Sequence, residues 1–314
     1  MYTLEVECLE LGDAGIVDAR TVSRALAVER GEIFSVFGEL RFALYASVVG
    51  VSSGVGLLLR AHLDRIGPLG LVIGVGVAAA LCYAIAIRTR LRGELRSIGG
   101  DYLLLLGALL LSADLGYAEL QFHWLGVQWS WHLLMLAALH ALTAYLLGSR
   151  LVLSASLASL AAWFGIDAHF NGLLQQGDAV RQAGADALVC AGAIIAWRAV
   201  HRRLGGAAGF VAVFEHVAAN LAFWGALALT FASGTRLAGT ALLLVIAAVA
   251  IRKGLGNRDE AFVVYGVGYT AVGLCYLETH LVRDYLGAAV LALATVTAAV
   301  VLLWRLRAHL RAAP

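Results

Sequence analysis

The sequence is poor in charged residues and almost free of proline. Only 14% of its 314 residues are charged, 61% are hydrophobic and the mean hydropathy is +0.84, whereas soluble domains have about 25% charged and roughly 45–50% apolar residues. A soluble fold could not bury so large an apolar excess, so the composition excludes an ordinary soluble domain. The two prolines, Pro68 and Pro314, leave the apolar segments uninterrupted, which favours unbroken helices.

Cysteine is also scarce, and no two cysteines are close in sequence. Cys8, Cys82, Cys190 and Cys275 form no C-x-x-C motif, so neither a disulfide framework nor a zinc site is indicated. The formal net charge is only +2 and the basic residues are spread over many loops, which argues against nucleic acid as a partner. Glycine motifs for phosphate or dinucleotide binding are missing from a strand-to-helix setting, so no soluble-enzyme signature is present.

Ten apolar segments, each about long enough to cross a bilayer, alternate with polar breaks. Backbone groups inside lipid must be satisfied within the segment, which favours helices of about 20 residues. The sequence therefore predicts an all-α polytopic transmembrane helix bundle over residues 41–314, preceded by a separate segment, 1–40. The predicted spans are 43–59, 69–87, 102–118, 130–147, 151–166, 185–200, 208–231, 237–251, 261–277 and 286–304.

The basic residues are concentrated at every second break. Of the 23 lysines and arginines, 18 fall on the side that holds the N-terminus. This asymmetry follows the positive-inside rule and predicts that both termini are cytoplasmic. The five on the opposite side are Arg60, Arg65, Arg181, Arg236 and Arg283.

Residues 1–40 are predicted to form a small cytoplasmic or interfacial helical segment. Asp18 is a candidate N-cap for a helix with Val22 and Leu26 on one side and Arg20 and Arg24 elsewhere. The simpler interpretation is a helix lying on the bundle or on lipid headgroups. The alternative is a segment that binds a protein partner.

Glycine is expected to shape the bundle in place of proline. The pairs Gly50 with Gly54 and Gly70 with Gly74 have the small-x-x-x-small spacing that allows helices to approach closely. We therefore expect close helix packing within the bundle at these two pairs, and contact between two copies of the chain is the alternative.

Ionisable residues within apolar segments are costly and are candidate functional residues. Glu215, His216 and Asn220 lie in the inner half of the seventh span, and His140 lies at mid-depth in the fourth, where it is a candidate partner for Glu215. Asp114 lies towards the outer end of the third span. These five residues are the predicted substrate or proton site, and a structural polar clamp between helices is the alternative.

A second set of polar residues gathers at the predicted outer side. Imidazole with carboxylate could bind a divalent metal, for which His123, His132 and His280 are the candidates, or could relay protons. An ordinary hydrogen-bonded cluster at the interface is the simpler interpretation. The set consists of Glu119, Gln121, His123, His132, Glu278, His280 and Asp284.

Two stretches resemble an uncharacterised bacterial family of predicted membrane proteins, the domain-of-unknown-function family 2157. Residues 15–22 (GIVDARTV) resemble its N-terminal soluble helix-turn-helix opening. Residues 102–163 resemble its body, with QFH at 121–123 and GSR at 148–150 after a tryptophan-containing helix. The resemblance implies a polytopic membrane fold, expected in the bacterial inner (cytoplasmic) membrane, and implies no activity.

The leading hypothesis is an integral membrane protein that binds or transports a small solute or ion through a polar site in the bundle. One alternative is a non-catalytic subunit or scaffold of an envelope complex. Another is an outward-facing enzyme dependent on metal or haem, although enzymatic activity is not favoured and no cofactor is firmly implied. The expected partners are membrane lipids, a small solute or ion, and a protein bound through residues 1–40.

Overall fold

The computed structural model describes residues 18–29, 40, 42–51, 53–54, 57, 67–91, 98–126, 130–169, 177–205, 208–282 and 284–312. Within these ranges the regular secondary structure is helical throughout. The helices are α1 (Ala19–Glu29), α2 (Phe42–Val51), α3 (Pro68–Leu91), α4 (Ile98–Phe122), α5 (Trp131–Leu147), α6 (Arg150–His169), α7 (Gly177–Arg203), α8 (Ala208–Phe231), α9 (Arg236–Asn257), α10 (Glu260–Leu281) and α11 (Tyr285–Ala312).

The predicted helical bundle is confirmed. Helices α2 to α11 fall on the ten predicted apolar segments. Seven of them, α3, α4 and α7 to α11, are long and apolar enough to cross a membrane, and α2, α5 and α6 have shorter apolar stretches. The described part of the chain therefore has the architecture of a polytopic membrane protein.

Seven of the ten helices on predicted spans are longer than the prediction, and α7 and α11 extend furthest. Helix α7 begins at Gly177 instead of 185, and α11 ends at Ala312 instead of 304. Hydropathy marks where a segment leaves the hydrocarbon, but arginine and glutamine are good helix formers, so the hydrogen-bonded backbone continues into the polar region.

Helices that follow one another along the chain mostly pack against one another, and α8 also joins two halves of the bundle. It contacts α6 and α7 on one side and α9 and α10 on the other. One apolar core includes Leu153, Ile194 and Phe214 of α6, α7 and α8, and a second includes Phe223 and Leu243 of α8 and α9. The N-terminal half of α8 thus lies in one core and its C-terminal half in the other.

Close helix contact occurs at glycines other than the predicted pairs. A Cβ atom at Gly184 of α7 would lie 2.9 Å from the Gly225 carbonyl oxygen of α8, and a Cβ at Gly225 would lie 2.8 Å from the Gly184 carbonyl oxygen. By contrast, no atom of the described residues would lie within 4 Å of a Cβ at Gly50, Gly54 or Gly74. Close packing within the described bundle is thus not found at those three, because the spacing of small residues does not reveal which face meets a neighbouring helix.

The N-terminal helix begins where the sequence predicts. Asp18 caps α1, since its Oδ1 accepts a hydrogen bond from the Thr21 amide at 3.2 Å. Val22 is buried, whereas Arg20 and Arg24 are exposed. The rest of the predicted 1–40 segment, 1–17 and 30–39, lies outside the described residues, so its role stays a prediction.

Candidate functional site

Glu215 on α8 lies between two cations. Its Oε1 pairs with Arg198 of α7, and its Oε2 lies 2.7 Å from Lys253 Nζ of α9. The Glu215 side chain is 16% exposed, so these contacts are made largely out of water. Both carboxylate oxygens are therefore compensated inside the protein. We call Arg198, Glu215 and Lys253 the inner ion network.

His216 is joined to the start of α10. Its Nε2 lies 3.5 Å from Asp259 Oδ2, and its ring stacks on Phe262 with 4.9 Å between centroids. Asp259 also caps α10 by accepting a hydrogen bond from the Ala261 amide at 3.0 Å. Lys253 Nζ lies 4.6 Å from the Phe262 ring centroid, which connects this group to the inner ion network.

Asn220 uses both ends of its amide. Its Nδ2 donates to the His216 carbonyl oxygen at 2.9 Å, and its Oδ1 accepts from the Tyr269 hydroxyl at 3.0 Å. The amide thus links α8 to α10. Glu215, His216 and Asn220 each contact a neighbouring helix, which is the arrangement expected of a clamp between helices, although His216 Nδ1 is buried without a hydrogen-bond partner.

His140 on α5 is fully buried and pairs with α4. Its Nε2 lies 2.8 Å from Ser112 Oγ, which donates to the Ala108 carbonyl oxygen at 2.9 Å. A serine hydroxyl has one hydrogen, so with this donation His140 Nε2 is the donor and Nδ1 the acceptor. His140 Nδ1 is buried and has no hydrogen-bond partner. The predicted pair of His140 with Glu215 is not formed, because His140 lies against α4, and the helix that carries it makes no extensive contact with α8 among the described residues.

Asp114 on α4 is buried against α3. Its side chain lies next to Gly76, where a Cβ atom would be 3.2 Å from Asp114 Oδ2. The residue is only 7% exposed, and its Oδ1 is buried without a hydrogen-bond partner. The hydroxyl of Tyr117, which follows one turn later on the same side of α4, is likewise buried and unpartnered. Two polar groups without partners therefore lie within one helical turn.

The remaining outer residues of α4 and α5 have local roles or face outward. Glu119 is 4% exposed, and its two oxygens accept from the Leu125 amide at 3.3 and 3.1 Å, which closes the loop after α4. Gln121 and His123 are exposed, and His123 has a φ of 48° at the end of the helix. His132 is buried in the first turn of α5.

Glu278, His280 and Asp284 lie at the outer ends of α10 and α11. Glu278 Oε1 accepts from Thr295 Oγ1 of α11 at 2.5 Å, whereas its Oε2 is buried without a partner. His280 is exposed and lies on the Tyr276 ring, with 4.2 Å between centroids. Asp284 caps α11 by accepting from the Gly287 amide at 2.8 Å.

The predicted outer residues thus divide between two places. Within the described residues, α4 and α5 make no extensive contact with α10 or α11. Nor does that part of the chain contain a group of three His, Cys, Asp or Glu side chains placed to hold a metal ion. The candidate ligands His123, His132 and His280 are therefore not grouped as a three-residue site there, and a metal at these positions stays a prediction.

Several partners were missed by the sequence analysis. Arg198 and Lys253 were counted only as charges that orient the chain, although each lies in the last two turns of its helix, within reach of a neighbour. Ser112 and Tyr117 were not noted, because serine and tyrosine are common in membrane helices. The signal that could have found Tyr117 is its spacing of three residues from Asp114.

Comparison with protein-family models, with curated proteins and with solved structures finds no match. The resemblance to the family named above therefore stays a prediction. Function must be argued from the side chains themselves.

Proposed function

We propose that the protein is an integral membrane protein that binds or transports a small ion or solute at a polar site in the outer half of the bundle, centred on Asp114. The observation that supports this proposal is the buried Asp114 carboxyl group, whose Oδ1 has no hydrogen-bond partner. Asp114 lies eight residues before the end of α4, which is about 12 Å along the helix axis. It is therefore inside the membrane-spanning part of α4.

The chemistry of such a carboxyl group limits what it can do. An ionised carboxylate in an apolar setting without a counter-charge is strongly disfavoured, so the group must hold a proton or attract a cation. Tyr117 Oη can supply a further oxygen, and Gly76 places no side chain against the carboxylate, since a Cβ there would lie 3.2 Å from Asp114 Oδ2. A proton or a small cation is accordingly the solute class that fits best.

Glu215 supports the same proposal by contrast. It is a carboxylate in a membrane helix too, yet Arg198 and Lys253 already neutralise it. An arriving cation would have to displace two positive side chains. The inner ion network is therefore assigned a structural role, and the solute site is placed at Asp114.

The setting of the site is part of the proposal. We place the protein in the inner membrane of a bacterium, with the arginine-rich helix ends in the cytoplasm and Asp114 nearer the opposite side. Lipids surround the bundle, and the 1–40 segment is available for a protein partner at the cytoplasmic surface.

The second candidate function is a non-catalytic subunit or scaffold of an envelope complex. The observation that favours it is the inner ion network, together with the Arg307–Glu260 pair at 3.3 Å, which links the inner ends of helices α7 to α11. Ion pairs between helices would stiffen a scaffold protein as well as a transporter. Purification with a stoichiometric partner that is lost when residues 1–40 are deleted would support this function.

The solute proposal is tested with Asp114→Asn in purified, reconstituted protein. Infrared difference spectra between acidic and alkaline buffer should show a carboxyl signal that this variant loses. Thermal unfolding in Na⁺, K⁺ or Li⁺ should show an ion-dependent stabilisation that the variant also loses, if the site takes a cation. Flux into proteoliposomes that contain a pH-sensitive or cation-sensitive dye should fall at least tenfold.

The matched control is Asp284→Asn, which neutralises an exposed carboxylate at the outer end of α11. It should leave the carboxyl signal, the ion response and the flux unchanged. If Asp114→Asn behaves like wild type in all three measurements, Asp114 is not the site and the proposal fails.

A further inference from the structure

A cavity of approximately 420 Å³ lies between α9, α10 and α11. Its size is within the range of about 300–1,000 Å³ found for small-molecule sites. Its walls are small and aliphatic side chains, among them Ala247, Gly266, Ala271 and Ala298. It lies in the membrane-spanning parts of these helices, so its occupant must come from the lipid phase.

The cavity extends along the helices that form it. On α10 its lining runs from Gly266 to Leu274, which is about 12 Å along the helix axis. On α11 it runs from Thr295 to Leu302, which is about 10 Å. A single hydrocarbon chain fits this shape, whereas a compact polar solute finds almost no polar surface along it.

One end of the cavity lies next to a carboxyl group. Thr295 lines the cavity near its outer end and donates to Glu278 Oε1, so the Glu278 carboxyl group adjoins that end. Glu278 Oε2 is buried and has no hydrogen-bond partner. Thr270, the other polar residue of the lining, has a buried hydroxyl that is also without a partner. Thr270 lies at mid-cavity, about 12 Å before Glu278 along α10, so its hydroxyl is not part of the polar end. Buried polar atoms are satisfied in the great majority of cases, so Glu278 Oε2 indicates a missing polar group at this end.

We propose that this cavity binds a single-chain amphiphile whose polar head donates a hydrogen bond to Glu278. The hydrocarbon chain lies along Gly266, Ala271 and Ala298, and the head lies at the outer end beside Thr295. A long-chain alcohol and a long-chain amine share this chemistry. The site is separate from Asp114, and the proposal does not depend on the proposed ion or solute function.

The test uses a long-chain alcohol that carries a photoreactive diazirine in its chain, added to the purified full-length protein in nanodiscs of synthetic phosphatidylcholine. Crosslinked peptides should map to α9, α10 and α11. An unlabelled long-chain alcohol or amine should compete at least tenfold better than the methyl ether of the same alcohol, which cannot donate. Comparing the alcohol with the amine decides which of the two sources the site prefers.

Three variants separate chain binding from head recognition. Ala298→Phe fills the cavity and should abolish crosslinking, whereas Val290→Phe, the same kind of change at an exposed position of α11, should not. Glu278→Leu keeps the cavity open and should remove the preference for the alcohol over the ether. Size-exclusion profiles and melting temperatures show whether each variant is folded.

Two results would overturn the proposal. One is crosslinking that avoids the cavity helices. The other is equal competition by alcohol and ether in wild type and in Glu278→Leu, which would mean that a bulk phospholipid chain fills the cavity without recognition. Because Glu278→Leu does not fill the cavity, the second result is interpretable even if Ala298→Phe fails to fold.

Discussion

Asp114 and Glu215 show how the neighbours of a carboxyl group determine its role. Each lies in an apolar helix, but Glu215 touches a guanidinium and an ammonium group, whereas Asp114 lies beside Gly76, which has no side chain to offer. A compensated charge holds helices together, whereas an uncompensated one can take up a solute. The residue type is nearly the same in the two places, and the difference lies in the side chains opposite.

We predict that Glu215→Gln lowers stability. The change removes the only negative charge of the inner ion network and leaves two partly buried cations side by side. The expected loss lies between that of an exposed and a fully buried pair, roughly 1–3 kcal/mol. It should appear as a lower melting temperature by circular dichroism in detergent.

The control for this prediction is Arg307→Gln. The Arg307–Glu260 pair is more exposed, with side chains 44% and 38% accessible, so its loss should cost less than about 1 kcal/mol. Equal melting temperatures for Glu215→Gln and wild type would show that the inner ion network contributes nothing to stability.

Sequence reasoning found the candidate residues better than their partners. Asp114 and Glu215 are visible because a charge in an apolar run is rare. Their surroundings are not visible, since Arg198 is 17 residues and Lys253 38 residues from Glu215 in sequence, and only the packing of α7 and α9 on α8 brings them together. The same limit explains why the pairing of His140 with Ser112 was missed.

At the scale of helices, the contact between α7 and α8 depends on two glycines facing each other. The carbonyl oxygen of each lies within 2.9 Å of the position that a Cβ on the other would take. A side chain at either position would push the two helices apart. This contact also positions Glu215, because Arg198 and Glu215 lie further along the same pair of helices.

Gly225→Ala is therefore expected to destabilise the protein. The added methyl group would overlap the Gly184 carbonyl oxygen, and overpacking of this kind costs about 1–3 kcal/mol. The measurement is the melting temperature, followed by intrinsic tryptophan fluorescence.

Gly192→Ala is the matched control on α7. A Cβ there meets no atom within 4 Å, so the better helix propensity of alanine should leave stability unchanged or raise it by up to about 1 kcal/mol. If both alanine variants lose stability equally, the close approach of α7 and α8 is not what makes Gly225 necessary.

For the molecule as a whole, the arginine distribution predicts an orientation that can be measured. In a variant without native cysteines, Leu204→Cys lies after α7 on the predicted cytoplasmic side, and Ser233→Cys lies in the turn between α8 and α9 on the other side. Both positions are exposed. A membrane-impermeant maleimide should label Ser233→Cys in intact bacterial cells and label Leu204→Cys only after the membrane is permeabilised.

The reverse labelling pattern would show that the chain is inverted. Labelling of both from one side would mean that α8 does not cross the membrane. Either result would also move Asp114 relative to the two compartments.

The all-helical bundle itself was predictable, because hydropathy, helix length and charge asymmetry act locally along the chain. Which helices pack against which was not predictable, since apolar helices in lipid have no hydrophobic force that selects one neighbour over another. Shape and a few polar contacts make that choice. In this protein the choice puts α8 between two cores and separates the outer residues of α4 and α5 from those of α10 and α11.

The position of α8 in both cores also bears on how the protein is made. The chain is synthesised from its N-terminus, so Arg198 and Glu215 enter the membrane before Lys253 has been synthesised. During that interval α8 can pack on α6 and α7 with its carboxylate held by one cation, while its C-terminal half still lacks the side chains of α9 and α10. A ribosome-bound chain that ends before α9 would therefore be a folding intermediate with half of the inner ion network formed and one core exposed to lipid.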